Sequence, residues 1–186
     1  MKTDTDTAPA TDALRDVGTI VAYTDEEGRH DYVRRAALEA ARRDGARLIL
    51  YPLDMFSPLS NPLPNEWSSE RERAEYGDPL SVADLELLGR EWLAAQVLEA
   101  TRSGVEAGAG LPEEAGVQAM VDYARDHDAS AVLLPRDALD KAGPIGHLLG
   151  RDTGSAEKAD RARDISVLLV DRSGTIEPAH HEEETS

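Results

Sequence analysis

Apolar residues fall along this chain in two distinct patterns. Some stand in short unbroken runs; others return every three or four positions. The runs at 19–23, 47–53, 131–134 and 165–170 do not alternate with polar residues, which marks strands covered on both faces of a parallel sheet. Between the first two, 31–44 sets Val33, Ala36, Ala37, Ala40 and Ala41 on one helical stripe with arginines opposite. Gly45 stands where a left-handed residue would stop that helix. Residues 19–53 therefore read as a βαβ unit.

The pattern continues beyond 80. Ser81, with Asp84 three residues on, predicts a helix opened by a capping box. Its expected buried stripe is Leu85, Leu88, Trp92, Ala95 and Leu98, running to Gly104, with Trp92 read as core. Residues 105–109 form a weak third strand, expected at an edge because its small residues offer little to pack. Pro112 suits a first helical position, with Glu113 and Glu114 in the first turn and Val117, Met120, Val121 and Ala124 as the buried stripe. A short helix is expected near 156–163, before the last strand at 165–170.

Alternating strands and helices predict an α/β fold, an open five-stranded parallel sheet with helices on both faces. In such a sheet ligands bind beyond the carboxyl ends of the strands, where the strand order reverses. The loops there are 24–30, 54–80, 108–112 and 136–154. The last carries the glycines Gly143, Gly146, Gly150 and Gly154. The 54–80 stretch holds Pro58, Pro62, Pro64 and Pro79 with Met55, Phe56 and Trp67. Two readings fit it: an insert packed over the domain edge, or a lid or partner-binding surface.

Composition narrows the function classes. The chain's 186 residues fit one domain, assigned to 17–172, with 1–16 and the acidic tail 173–186 expected to be disordered. His180 and His181 fall in that tail, where a solvated role is favoured over metal binding. No cysteine is present, which rules out disulfides and zinc-thiolate sites. A net charge of −17 argues against nucleic acid or an anionic membrane as partner. Lysine occurs only at 2, 141 and 158, a composition that suits either a GC-rich genome or a salt-adapted cell. The start of the chain lacks a basic and apolar leader, and a cytoplasmic location is expected.

Taken together, the 19–23 strand, the alanine-rich helix ending Gly45-Ala-Arg-Leu-Ile-Leu50, the strand start at Val105, His127-Asp-Ala-Ser-Ala-Val-Leu-Leu134, the glycine loop and Asp164-Ile-Ser-Val-Leu-Leu-Val170 resemble a universal stress protein domain. The resemblance spans about 18–171, and the 54–80 insert is atypical for it. It implies a strand order of 3-2-1-4-5, the adenine-nucleotide-hydrolase-like arrangement, and dimerisation through the last strand. The apolar edge of 165–170 would otherwise be an aggregation hazard, so pairing with a second copy is physically reasonable.

ATP-binding members of that family carry G-x2-G-x9-G-[S/T] after the fourth strand and an Asp closing the first. Glycines let backbone N–H groups reach phosphates, and the hydroxyl adds a donor. Aligned from the strand end, Pro135 and Ala138 replace the first two glycines, and Gly150 is followed by Arg151. A shifted reading pairs Gly143 and Gly146 with Gly154 and Ser155, seven residues apart instead of nine. Thr24 takes the Asp position and Asp25 follows it. The cofactor-site candidates are accordingly Asp25, Gly143, Gly146, Gly150, Gly154 and Ser155. Asp25, Glu26 and Glu27 would repel phosphate without a divalent cation, whereas Arg136, Lys141, His147 and Arg151 would attract it. The structural alternative is a flexible connection, with His147 an ordinary surface or packed histidine.

No nucleophile–base pair, metal-ligand cluster or Walker lysine is evident, so no catalytic or metal residue is assigned. The first expectation is a regulatory or binding module of the stress response. It would be homodimeric through 165–170, work without classical ATP binding, and have 54–80 as the surface for an unknown protein partner. The alternative is an ATP- and Mg²⁺-binding protein with slow ATPase activity that uses the Gly143–Ser155 loop.

Overall fold

A computed structural model describes residues 18–53, 78–112, 116–138 and 165–179. The lead 1–16, residues 54–77 of the insert, the glycine loop from 139 onward, the helix expected near 156–163 and the tail from 180 lie outside the described residues. The described elements are β1 (Thr19–Thr24), α1 (Asp31–Asp44), β2 (Arg47–Pro52), α2 (Val82–Leu87), α3 (Glu91–Arg102), β3 (Ala107–Ala109), α4 (Val117–Asp126), β4 (Ala131–Pro135), β5 (Ser166–Val170) and β6 (Ile176–Pro178).

They build one sheet in the order β3-β2-β1-β4-β5-β6. The first five strands are parallel, as the unbroken apolar runs require. β1 pairs with β2 from Thr19↔Arg47 to Thr24↔Pro52 on one side and with β4 at Ile20↔Ala131 to Ala22↔Leu133 on the other. Right-handed crossovers put α1, α2 and α3 on one face and α4 on the other. Ile20, Leu48, Ile49, Leu50, Leu133, Leu134 and Leu168 are fully buried between these layers. Each such side chain contributes about 2 kcal/mol of transfer free energy.

Helix α1 matches its predicted pattern, burying Val33, Ala36, Ala37, Ala40 and Ala41. Gly45 caps it in the left-handed region at φ 66°, its N–H donating to the Ala41 carbonyl. The α4 stripe, Val117, Met120, Val121 and Ala124, is likewise the one expected. Pro112 does not start that helix, however. The helix begins at Val117 behind Gly116, which has φ 109° and whose N–H donates to the Leu53 carbonyl.

The helix expected over 81–104 is two helices. The capping box is present: Asp84 N–H donates to Ser81 Oγ, and Ser81 N–H donates to an Asp84 carboxylate oxygen at 2.9 Å. Gly89 then turns left-handed at φ 66° and breaks the helix. Past the break the phase changes, so α3 buries Leu93, Ala94, Val97 and Ala100. Ala95 is exposed, while Leu88, Trp92 and Leu98 are half-buried.

Two further expectations are corrected at the sheet edges. The segment after 172 is not unstructured throughout, because β6 runs antiparallel to β5, with Leu168↔Pro178 and Val170↔Ile176 opposite each other. The five-stranded sheet therefore has a sixth strand, and 165–170 is not the free edge assigned to a second copy. At the other end β3 is an outer strand, but its small residues have a packing role. A Cβ on Gly108 would stand 3.1 Å from both the Leu80 carbonyl oxygen and Pro79. Glycine there lets Leu80 approach and bridge Ala109 antiparallel, through N–H to O contacts of 2.8 and 3.0 Å.

Candidate functional site

In this strand order the chain leaves β1 and β4 in opposite directions, so the crevice between their carboxyl ends is the switch point of the sheet. The residues after β1 and β4 form its walls. Thr24, the last residue of β1, is buried, and its hydroxyl donates to Gln96 Oε1 on α3. Gln96 Nε2 donates in turn to the Asp25 carbonyl at 3.1 Å. One side chain from α3 thus holds both residues at the end of β1.

The Asp25 carboxylate is occupied by its own turn. One oxygen accepts the Arg29 N–H at 2.9 Å. The other accepts the His30 N–H at 3.0 Å and faces His30 Nδ1 at 2.7 Å. Both oxygens are thereby drawn toward the start of α1, fixing the 25–30 loop as a turn closed by a carboxylate.

His30 spans the crevice. Its Nδ1 contacts Asp25 after β1, and its Nε2 stands 3.5 Å from Asp137 after β4. Tyr23 meets the imidazole edge-on with ring centroids 5.2 Å apart, and Tyr32 flanks it at 5.8 Å. Burial first, then the charges of Asp137, Asp171 and Asp25, raise the Tyr32 hydroxyl above its usual pKa, with Arg172 opposing. Three carboxylates therefore face one phenol at the mouth.

Arg172 offsets this rim in part, and two other arginines nearby have carboxylate partners of their own. Arg136 pairs with Glu177 on β6, and Arg29 pairs with Glu27. Arg90 is buried at the start of α3, where desolvation lowers its pKa and the charge of Glu26 opposes the shift. Among the described residues, no group of three His, Cys, Asp or Glu side chains is arranged to hold a metal ion.

Of the residues predicted for the site, Asp25 is in the crevice, but it is engaged in turn closure. Gly143, Gly146, Gly150, Gly154 and Ser155 lie outside the described residues, as do Lys141, His147 and Arg151. Sequence reasoning missed Gln96, His30, Tyr32 and Asp137. The one available signal was that His30 and Asp137 follow the ends of two predicted neighbouring strands. Gln96 gave none, since its partner Thr24 is 72 positions away.

No helix among the described residues is long and apolar enough to cross a membrane. No protein-family model and no curated protein matches the sequence. Among solved structures, the chain is similar to a protein of the universal stress protein family from Burkholderia pseudomallei, at 23% identity, with 67% of this chain and 86% of that chain covered and a TM-score of 0.44. It is similar to the universal stress protein from Archaeoglobus fulgidus in complex with dAMP, at 22% identity, 67% and 85% coverage and a TM-score of 0.40. A universal stress protein in complex with cAMP is similar at 19% identity, 82% and 95% coverage and a TM-score of 0.37. At these values the chemistry of the crevice has to be read from this chain's own residues.

Proposed function

We propose that this chain is a universal-stress-like binding module of the stress response that works by interaction, without a classical nucleotide site at the end of its first strand. The observation that carries this reading is the engagement of Asp25. Its two oxygens already accept from Arg29 and His30, and the neighbouring Thr24 hydroxyl is spent on Gln96. A metal–phosphate group would have to compete with these contacts for the carboxylate and then enter a rim bearing Asp137 and Asp171. Like charges on that rim disfavour a polyphosphate.

Isothermal titration with ATP and Mg²⁺, at low and at molar salt, tests the proposal. No saturable heat up to millimolar nucleotide is the expected result. Saturation at micromolar Kd, about −8 kcal/mol, overturns it. If that binding is abolished by Gly146→Val and Gly154→Val, the glycine loop is a phosphate cradle and the chain is a nucleotide-binding stress protein.

The homodimer is part of the same proposal, with a changed route. β6 takes the outward main-chain groups of β5, as the Asp171 N–H to Thr175 carbonyl and Ala179 N–H to Val167 carbonyl contacts show. Pairing of 165–170 with a second copy therefore requires the β6 hairpin to leave.

A further inference from the structure

His127 closes α4 beside the segment that bridges β3, and both of its ring nitrogens face acceptors. Nδ1 lies 2.8 Å from the Tyr123 carbonyl oxygen, and Nε2 lies 3.0 Å from an Asp78 carboxylate oxygen. A neutral imidazole has one N–H and one lone pair, so it can satisfy only one of these partners. The imidazolium satisfies both. Its ring also stacks on Tyr123, with centroids 3.9 Å apart and planes at 21°, an arrangement that favours a cation over the phenol face.

Asp78 is tied a second time, accepting the Tyr123 hydroxyl at 2.5 Å. Two residues on, Leu80 makes the reciprocal bridge to Ala109 on β3. Tyr123 in turn packs on Tyr51 of β2 at 4.9 Å and over Gly110, where a Cβ would come within 2.6 Å of its ring. We propose that His127, held as an imidazolium, is a pH-responsive clamp that keeps the Asp78–Leu80 segment on the outer edge of β3.

The surrounding groups agree with this. Asp78 faces the imidazole from the incoming segment, and Tyr123 and Asp126 belong to its own helix. Beyond Tyr123 lie Tyr51 and Arg47 of β2. Burial pulls the His127 pKa down, but the hydrogen bonds to Asp78 and the Tyr123 carbonyl, with the charges of Asp78 and Asp126, outweigh it and raise the value above the ordinary one. Tyr123 does not compete for the proton. Burial, then Asp78, push its hydroxyl far above the usual phenol range, so it remains a donor. With the folded value raised, the clamp is complete below about pH 6.5. It is lost as pH rises through the folded pKa of His127.

Two amides report on the clamp directly: Leu80 N–H, bound to the Ala109 carbonyl, and Ala109 N–H, bound to the Leu80 carbonyl. The test is nitrogen NMR of the full chain across pH 5–9, combined with hydrogen-exchange protection factors. Below the midpoint both imidazole nitrogens should carry protons. Protection of Leu80 and Ala109 should fall about tenfold across the titration. Arg136 N–H, bound to the Val170 carbonyl at the other side of the sheet, should show no step. Asp78→Asn should move the His127 midpoint down, and His127→Gln should remove the step.

A neutral His127 with one protonated nitrogen at pH 6 overturns the proposal. So does a step that persists in His127→Gln or that Arg136 shares. The wild-type nitrogen shifts together with the Leu80 and Ala109 protection decide the matter even where a variant fails to fold: protonation lost with no fall in protection overturns the proposal.

Discussion

The two edges of the sheet are both closed from within the chain, by opposite means. At β3 the closure is a single buried bridge, with Leu80 only 4% exposed and its carbonyl close over Gly108, while Gly110 lies beneath Tyr51 and Tyr123. At β5 it is a short strand, β6, whose Glu177 and Pro178 are exposed. Few main-chain contacts and close packing secure the first edge. Main-chain pairing and surface polar groups secure the second. The same hazard, unpaired strand edges that invite another chain, is met by burial in one place and by backbone in the other.

Composition follows from that difference. β3 and the residue that follows it need glycine at 108 and 110, because other groups occupy the space a side chain would fill. β6 needs a sharp turn, and Asp171 supplies it by accepting from Ser173 N–H, the Ser173 hydroxyl and Thr175 N–H, with Gly174 at φ 85°. Thr175, Glu177 and Ala179 point main-chain groups toward β5, so those of Ile176 and Pro178 face outward. Pro178 has no N–H to offer there, which blunts the new edge against further pairing.

The largest effect should come from filling the buried edge. Gly110→Val places side-chain atoms where Tyr123 and Tyr51 already are and should cost about 3 kcal/mol, measured by urea denaturation. A loss close to zero would mean that Tyr123 swings away freely and that this edge is not tightly packed. Next comes truncation after Arg172, which removes β6. It should cost about 2 kcal/mol, since the several main-chain hydrogen bonds it removes lie at an exposed edge and each contributes at the low end, about 0.5 kcal/mol, and it should expose the apolar edge of β5. Light scattering should then show stronger self-association than in the full chain, where β6 has to leave β5 first; a truncation that associates no more than the full chain would mean that β5 needs no cover.

The smallest effect belongs to Asp171→Asn. Its carboxyl lies below the usual range, chiefly through the Ser173 hydroxyl and then the Thr175 N–H. A lowered folded pKa means the contribution is present above about pH 4 and is lost as pH falls through the folded value. In the variant, exchange of the Ala179 N–H should quicken while Leu80 and Ala109 keep their protection. Equal loosening of both edges would show that they are one cooperative unit and not two separate closures.

The sequence by itself determined the parallel sheet, the phases of α1 and α4, the Gly45 cap and the Ser81 capping box. These depend on the spacing of apolar residues and on groups within a few positions of one another, so the chain carries their cause locally. Tertiary structure decided the rest of the architecture. Gly89 broke a helix whose stripe looked continuous, and β6 formed from a polar stretch because backbone pairing with β5 requires no apolar pattern. At the crevice, Asp25 was legible as a residue at the end of a strand. What it does was not, since its neighbours Thr24 and His30 are held by Gln96 on α3 and Asp137 after β4. The His127 clamp joins Asp78 to a helix 45 residues further along, by way of Tyr123. Contacts of that kind leave no periodicity in a sequence, because folding alone brings the partners within hydrogen-bond reach.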